Sequence, residues 1–117
     1  MESVLNSIKK LLGITEDYNA FDTDIILHIN SVFSILSQLG VGPEKAYRIT
    51  DALNEWDEFT GDSECLELVK SYMYMRVRLM FDPPTNSFLV SSMQEQIKEA
   101  EWRLNVIAEG EHLTKGE

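Results

Sequence analysis

Asp57 and Glu58 stand side by side in a stretch, Glu55–Glu64, that holds five carboxylates and so offers the densest acid chemistry in the chain. Paired carboxylates can work as general acid and base only when their surroundings split their pKa values. The neighbours here are polar and supply no such split. The same stretch invites a calcium reading, which its register denies: with Gly61 at the sixth position of an EF-hand loop, Trp56 falls at the first, where aspartate is required. His28 lies among aliphatic residues with no Cys, His or Asp at i+3 or i+4, so it reads as a structural histidine, and His112 stands alone. Cys65, the single cysteine, heads an apolar run and reads as a small core residue. Arg76 and Arg78 could mimic an anion site. The first reads instead as the partner of a carboxylate from the acidic stretch, the second as part of a wettable strip. There is no glycine-rich phosphate loop, no cluster of Cys and His, no nucleophile elbow and no HExxH. No catalytic activity, cofactor or metal is therefore expected.

Charge is the strongest compositional signal. The 117 residues carry a formal net charge of -10, and residues 15–67 account for all of it, with twelve acids against Lys45 and Arg48. Such a face is either a solubilising surface or one that holds nucleic acid off. Binding to a phosphate backbone needs clustered Lys and Arg, which this chain lacks. No run approaches the roughly 20 apolar residues of a membrane span. The opening Met1–Lys10 has no basic region ahead of a long apolar one, so no signal peptide is expected. One cysteine suits a reducing, cytosolic place of folding.

The element around which the rest is arranged is Cys65–Phe81. Positions 66, 69, 73, 77 and 80 form one apolar stripe and 65, 68, 72, 75 and 79 another, leaving a narrow strip through Glu67, Lys70, Ser71, Tyr74 and Arg78. A helix apolar on nearly all sides is wrapped by other elements. Asp62 or Ser63 can cap it, and Asp82-Pro83-Pro84 stops it. Ahead of it, Ser3 can cap a short helix to Leu12 that Gly13 ends. Tyr18 and Phe21 can anchor the acidic linker Ile14–Phe21 onto the body. Asp22 or Thr23 can cap a helix to about Leu39, with Ile25, Ile29, Val32, Leu36 and Leu39 as its stripe and Gly40 as its stop. Between Pro43 and Ser63 lies an irregular acidic excursion. Ala46–Thr50 reads as extended, and Asp51 can cap a brief helix in which Leu53, Trp56 and Phe59 recur every three residues.

After the prolines, Thr85, Asn86 or Ser87 can cap a last helix to about Ala108. Its stripe is Leu89, Val90, Met93, Ile97, Ala100, Leu104 and Ile107, and Gly110 closes it. Trp102 and Val106 lie off that stripe, placed either to pack under a loop or to meet another subunit. The expected fold class is all-α: a small antiparallel helical bundle with a central buried helix, one domain over 1–109 and a flexible tail over 110–117.

Several stretches taken together resemble the head–tail connector, or head-completion adaptor, family of long-tailed bacteriophages. They are Phe21-Asp22-Thr23-Asp24-Ile25-Ile26-Leu27-His28-Ile29-Asn30-Ser31-Val32, Trp56-Asp57-Glu58-Phe59, Leu66-Glu67-Leu68-Val69-Lys70-Ser71-Tyr72, Val77-Arg78-Leu79-Met80-Phe81-Asp82-Pro83-Pro84 and Glu101-Trp102-Arg103-Leu104-Asn105. The likeness runs from Leu5 to Glu109, and its weight lies in the order and spacing of these stretches. The resemblance implies a non-catalytic structural virion protein, made in the host cytoplasm and ending at the head–tail interface. It implies a homo-oligomeric ring, dodecameric in the family, that sits under the portal protein and continues the DNA channel. A downstream head-completion or tail-completion protein then attaches; DNA passes without specific binding, and no membrane is involved. By position, Trp56 and Phe59 fall in the stretch the family uses for neighbour contacts. Trp102, Arg103 and Val106 fall in the helix that in the family reaches towards the portal. Asp51, Glu55, Asp57, Glu58 and Asp62 are candidates for a channel wall. The acidity also admits a DNA-mimicking inhibitor, and the helical build a prophage-encoded interaction module.

Overall fold

The computed structural model describes residues 2–43, 45–60 and 63–115, with backbone alone at 63, 64 and 111–115. Four helices follow one another: α1 (Val4–Leu11), α2 (Asp22–Gln38), α3 (Ser63–Phe81) and α4 (Ser87–Lys115), with a single 3-10 turn at Trp56–Glu58. Among the described residues there is no strand. The principal dimensions are 47 × 35 × 19 Å. The thin dimension is that of two helix layers, and the long one is close to the roughly 43 Å that the 29 residues of α4 span.

The apolar periodicity of α3 dictates this arrangement. Val69, Tyr72, Met73 and Val77 are fully buried, and α1, α2 and α4 all pack against the helix. The stripe of α2 closes the same core through Ile25, Ile29, Val32 and Leu36, and that of α4 does so through Ile97, Ala100 and Leu104. Leu89, expected on the buried side of α4, is 54% exposed instead, as Ser87 and Phe88 of the same first turn are also exposed.

The helix ends show how polar residues are allotted. Ser3 caps α1 by accepting from the Asn6 amide at 3.2 Å, and Gly13 follows with φ +82°. Asn86 caps α4 by accepting from the Phe88 amide at 2.8 Å. Neither Asp22 nor Thr23 caps α2. Phe21 takes that position, because the Asp22 carboxylate is committed to Lys9 at 2.8 Å. Lys9 is 1% exposed, and its ammonium also donates to the Glu16 carbonyl, which ties the linker to both helices. A buried cation is tolerable only with such partners. Tyr18 and Phe21 do meet the body through rings: Phe21 lies 5.7 Å from Tyr18 and 5.3 Å from Phe81, and His28 packs 6.5 Å from Phe81.

Of the candidate caps of α3, Asp62 and the Ser63 side chain lie outside what the structure describes. Arg76 meets Glu101 of α4 and not the acidic excursion. Its Nε donates to the Tyr72 hydroxyl at 2.8 Å, and that hydroxyl donates to the same Glu101 oxygen at 2.7 Å. The triad holds α4 on α3 halfway along both. Finally, α4 does not close at Gly110: its backbone stays helical to Lys115, while residues 116 and 117 of the expected tail lie outside the described residues. A glycine there lowers helix propensity by only about 1 kcal/mol, which 23 preceding helical residues outweigh.

Two outcomes test these packing claims. Gly42 has φ +98°, and a Cβ there would lie 2.4 Å from the Phe59 ring. Gly42→Ala should therefore cost on the order of 2–3 kcal/mol in urea unfolding, with the slope of the transition unchanged. Glu101 sits below its usual 4.5 because hydrogen bonds from Arg76 and Tyr72 outweigh the opposing effect of its burial. A depressed carboxylate contributes stability above its unfolded value and loses it as pH falls through the folded one. Glu101→Gln should lower stability at pH 7 by about 1 kcal/mol and flatten the acid limb below about pH 4.5, measured by melting from pH 7 to 3.

Candidate functional site

The excursion between α2 and α3 is built on aromatic packing. Phe33 of α2 holds Tyr47, Phe59 and Trp56 around it at centroid distances of 5.0, 4.9 and 6.1 Å. Trp56 is 1% and Phe59 5% exposed, so both rings are used inside the subunit and present no outer patch. The indole N–H donates to Ser7 Oγ at 2.8 Å, and Ser7 in turn donates to the Val4 carbonyl. Backbone bonds from Val4 to Asn54 and from Trp56 to Glu2 join the excursion to the start of α1. The brief helix expected from Leu53 to Phe59 shrinks to one 3-10 turn. Leu53 is 84% exposed, and Asp51 accepts from the Leu53 amide at 2.8 Å, closing a side-chain turn where the cap was expected.

With its aromatics turned inward, the excursion shows water its acids. Asp51, Asp57 and Glu58 are exposed; Glu55 is half-buried beside Ser3; Asp62 lies outside the described residues. Glu16, Asp17, Asp24 and Glu67 add further exposed acids. Glu58 is the most constrained of the set. It accepts from the Tyr47 hydroxyl at 2.7 Å and from the Asn54 amide at 3.1 Å, and these bonds hold its pKa below the usual value. The Tyr47 hydroxyl is pushed up, first by burial and then by Glu58, which keeps its proton in place to donate to that carboxylate. Chemically Glu58 is a fixed anion, since both of its hydrogen bonds favour the ionised form.

The second surface is the outer face of α4. Trp102 is 68%, Val106 47% and Phe88 85% exposed, and helical spacing sets the three on one side of the helix. Arg103 is exposed beside Trp102 and lines a shallow groove with Glu99, Gln96 and Met75. Leaving an indole and a phenyl ring in water is unusual for a free monomer and suits a surface that another protein covers. Sequence spacing points to Trp102 and Val106; Phe88 begins the helix, where spacing alone assigns no face.

Among the described residues no group of three or more His, Cys, Asp or Glu could hold a metal ion, and no helix is long and apolar enough to cross a membrane. Neither surface resembles a ligand pocket; both are broad and open, as contact surfaces between macromolecules are. No curated protein and no solved structure matches the chain. The sequence model described as phage connector protein matches residues 4–111, from the first turn of α1 into the last turns of α4. A match over that length takes in the core, the acidic excursion and the aromatic face of α4 together, and on it the chain belongs to the phage connector protein family.

Proposed function

We propose that this protein is a structural component of the virion, a head–tail connector whose copies close into a ring against the portal and prolong the DNA channel. A downstream head-completion or tail-completion protein then joins the ring. In this reading the chain is made in the host cytoplasm and finishes at the head–tail interface. The observation that carries it is the family match from residue 4 to residue 111. The two surfaces support it physically. A ring needs two different patches on each subunit, because its contacts run head to tail. Trp102, Arg103 and Val106 offer one such patch, with an aromatic, an arginine and an aliphatic residue of the kinds that dominate interface energetics. The exposed acids suit a wall past which DNA slides, since they far outnumber Lys45 and Arg48 there and phosphates meet net repulsion.

The assembly reading is checked by Trp102→Ala. With the ring mostly in water, melting should move by less than about 2 °C. Incorporation into particles should fall at least about tenfold, measured as copies of the chain per purified virion. Full incorporation of the variant would remove α4 from the interface. The channel reading is checked by neutralising Asp51, Glu55, Asp57, Glu58 and Asp62 together as Asn or Gln. DNA ejection should slow several-fold in single-particle measurements, and a rate equal to that of the parent would take these acids off the channel wall.

A further inference from the structure

Between Ala46 and Thr50 the chain is neither helix nor turn and pairs with no strand. Its anchor is Asn30 of α2, whose amide donates to the Ile49 carbonyl at 3.0 Å and accepts from the Ile49 amide at 2.8 Å. Only an extended residue can turn its N–H and C=O to the same side, so Asn30 engages Ile49 as a neighbouring strand would. The side chains alternate accordingly: Tyr47 and Ile49 turn inward, while Ala46, Arg48 and Thr50 are exposed. The backbone N–H and C=O groups of Ala46, Tyr47 and Arg48 have no hydrogen-bond partner among the described residues. Beside them runs a groove of about 380 Å³, walled by this stretch and by Leu27, Ser31 and Ser34 of α2. Leu27 is 66% exposed there.

Charge says what fits. Lys45 and Arg48 are the two cations of residues 15–67, both are exposed, and neither meets a carboxylate among the described residues. They stand beside the unpaired backbone, in the most acidic part of the chain. We propose that residues 45–49 are a docking edge for an extended acidic segment of another protein, which adds to them as a strand, sets an apolar side chain over Leu27 and brings a carboxylate to Arg48. Among the described residues a second copy is a poorer source of that segment. Residues 14–20 are folded into turns by Ile14 to Lys9 and Tyr18 to Thr15 backbone bonds, and 82–86 lack donors at Pro83 and Pro84. Two copies of the edge itself would set Lys45 and Arg48 against their like.

The proposal rests on the connector reading for its setting, and hydrogen exchange separates the two. In the purified chain the amides of Ala46 and Arg48, which share the edge turned away from Asn30, should exchange at close to unprotected rates, and in purified particles at least about 100-fold more slowly. Equal rates in chain and particle overturn strand docking while leaving the connector reading intact; absence of the chain from particles overturns the connector reading itself. Protection that arises in the purified chain on concentration would assign the edge to a second copy and overturn the hetero-protein assignment. Lys45→Glu with Arg48→Glu gives the independent measurement, since both side chains are exposed and the fold should melt as before. Occupancy in particles washed at moderate salt should drop about tenfold, and parental occupancy would overturn the proposal.

Discussion

Everything in this fold answers to the need to keep water off α3. A 19-residue helix with apolar residues on almost every side has no stable existence in solution until other elements surround it. Three helices supply that cover, and each was shaped by the task. The short α1 covers one end, α2 brings a stripe of branched side chains, and α4 folds back after the Asp82-Pro83-Pro84 turn to lie along the remaining side. The lone polar strip of α3 is spent as economically: Lys70 pairs with Glu2 at 3.0 Å while its ammonium stands 5.8 Å over the Trp56 ring, and Arg78 donates to Tyr74.

Polar tethers then decide how the cover is held. Lys9 with Asp22, Trp56 with Ser7, and the Tyr72–Arg76–Glu101 triad each join elements that apolar contact alone would leave free to slide. Hydrophobic burial is non-directional, whereas a buried donor left unpaired costs about 1–3 kcal/mol. These few bonds therefore select one arrangement among many greasy ones. The surfaces left over are what the subunit has available for other molecules: a fixed acidic excursion and the outer side of α4.

The helices and their buried faces were legible in the sequence because apolar residues at i, i+3, i+4 and i+7 carry that information locally. So was the departure of Trp102 and Val106 from the α4 stripe, although spacing alone does not tell a loop-covered side chain from the exposed ones found. Arg76 shows where local reading ends: its partner is 25 residues away, and nothing near Arg76 distinguishes Glu101 from the acids of the excursion. Trp56 and Phe59 sit in a segment without periodicity, so their types alone do not tell a core plug from an outer anchor. Lys9 left a trace that could have been followed. It stands four residues after Leu5 and three before Leu12, within the apolar side of α1, and a cation so placed must find a buried partner.

The Asn30 clamp has a consequence for how this subunit can diverge. It grips Ile49 by main-chain atoms, while the core takes the inward rings of Tyr47 and its neighbours. Although the Thr50 hydroxyl still donates to Asn54, the outward side chains at 46 and 48 thus bear none of the weight of holding the segment in place. They are free to be rewritten for a new counterpart without disturbing the helices, so recognition can drift here while the architecture stays still.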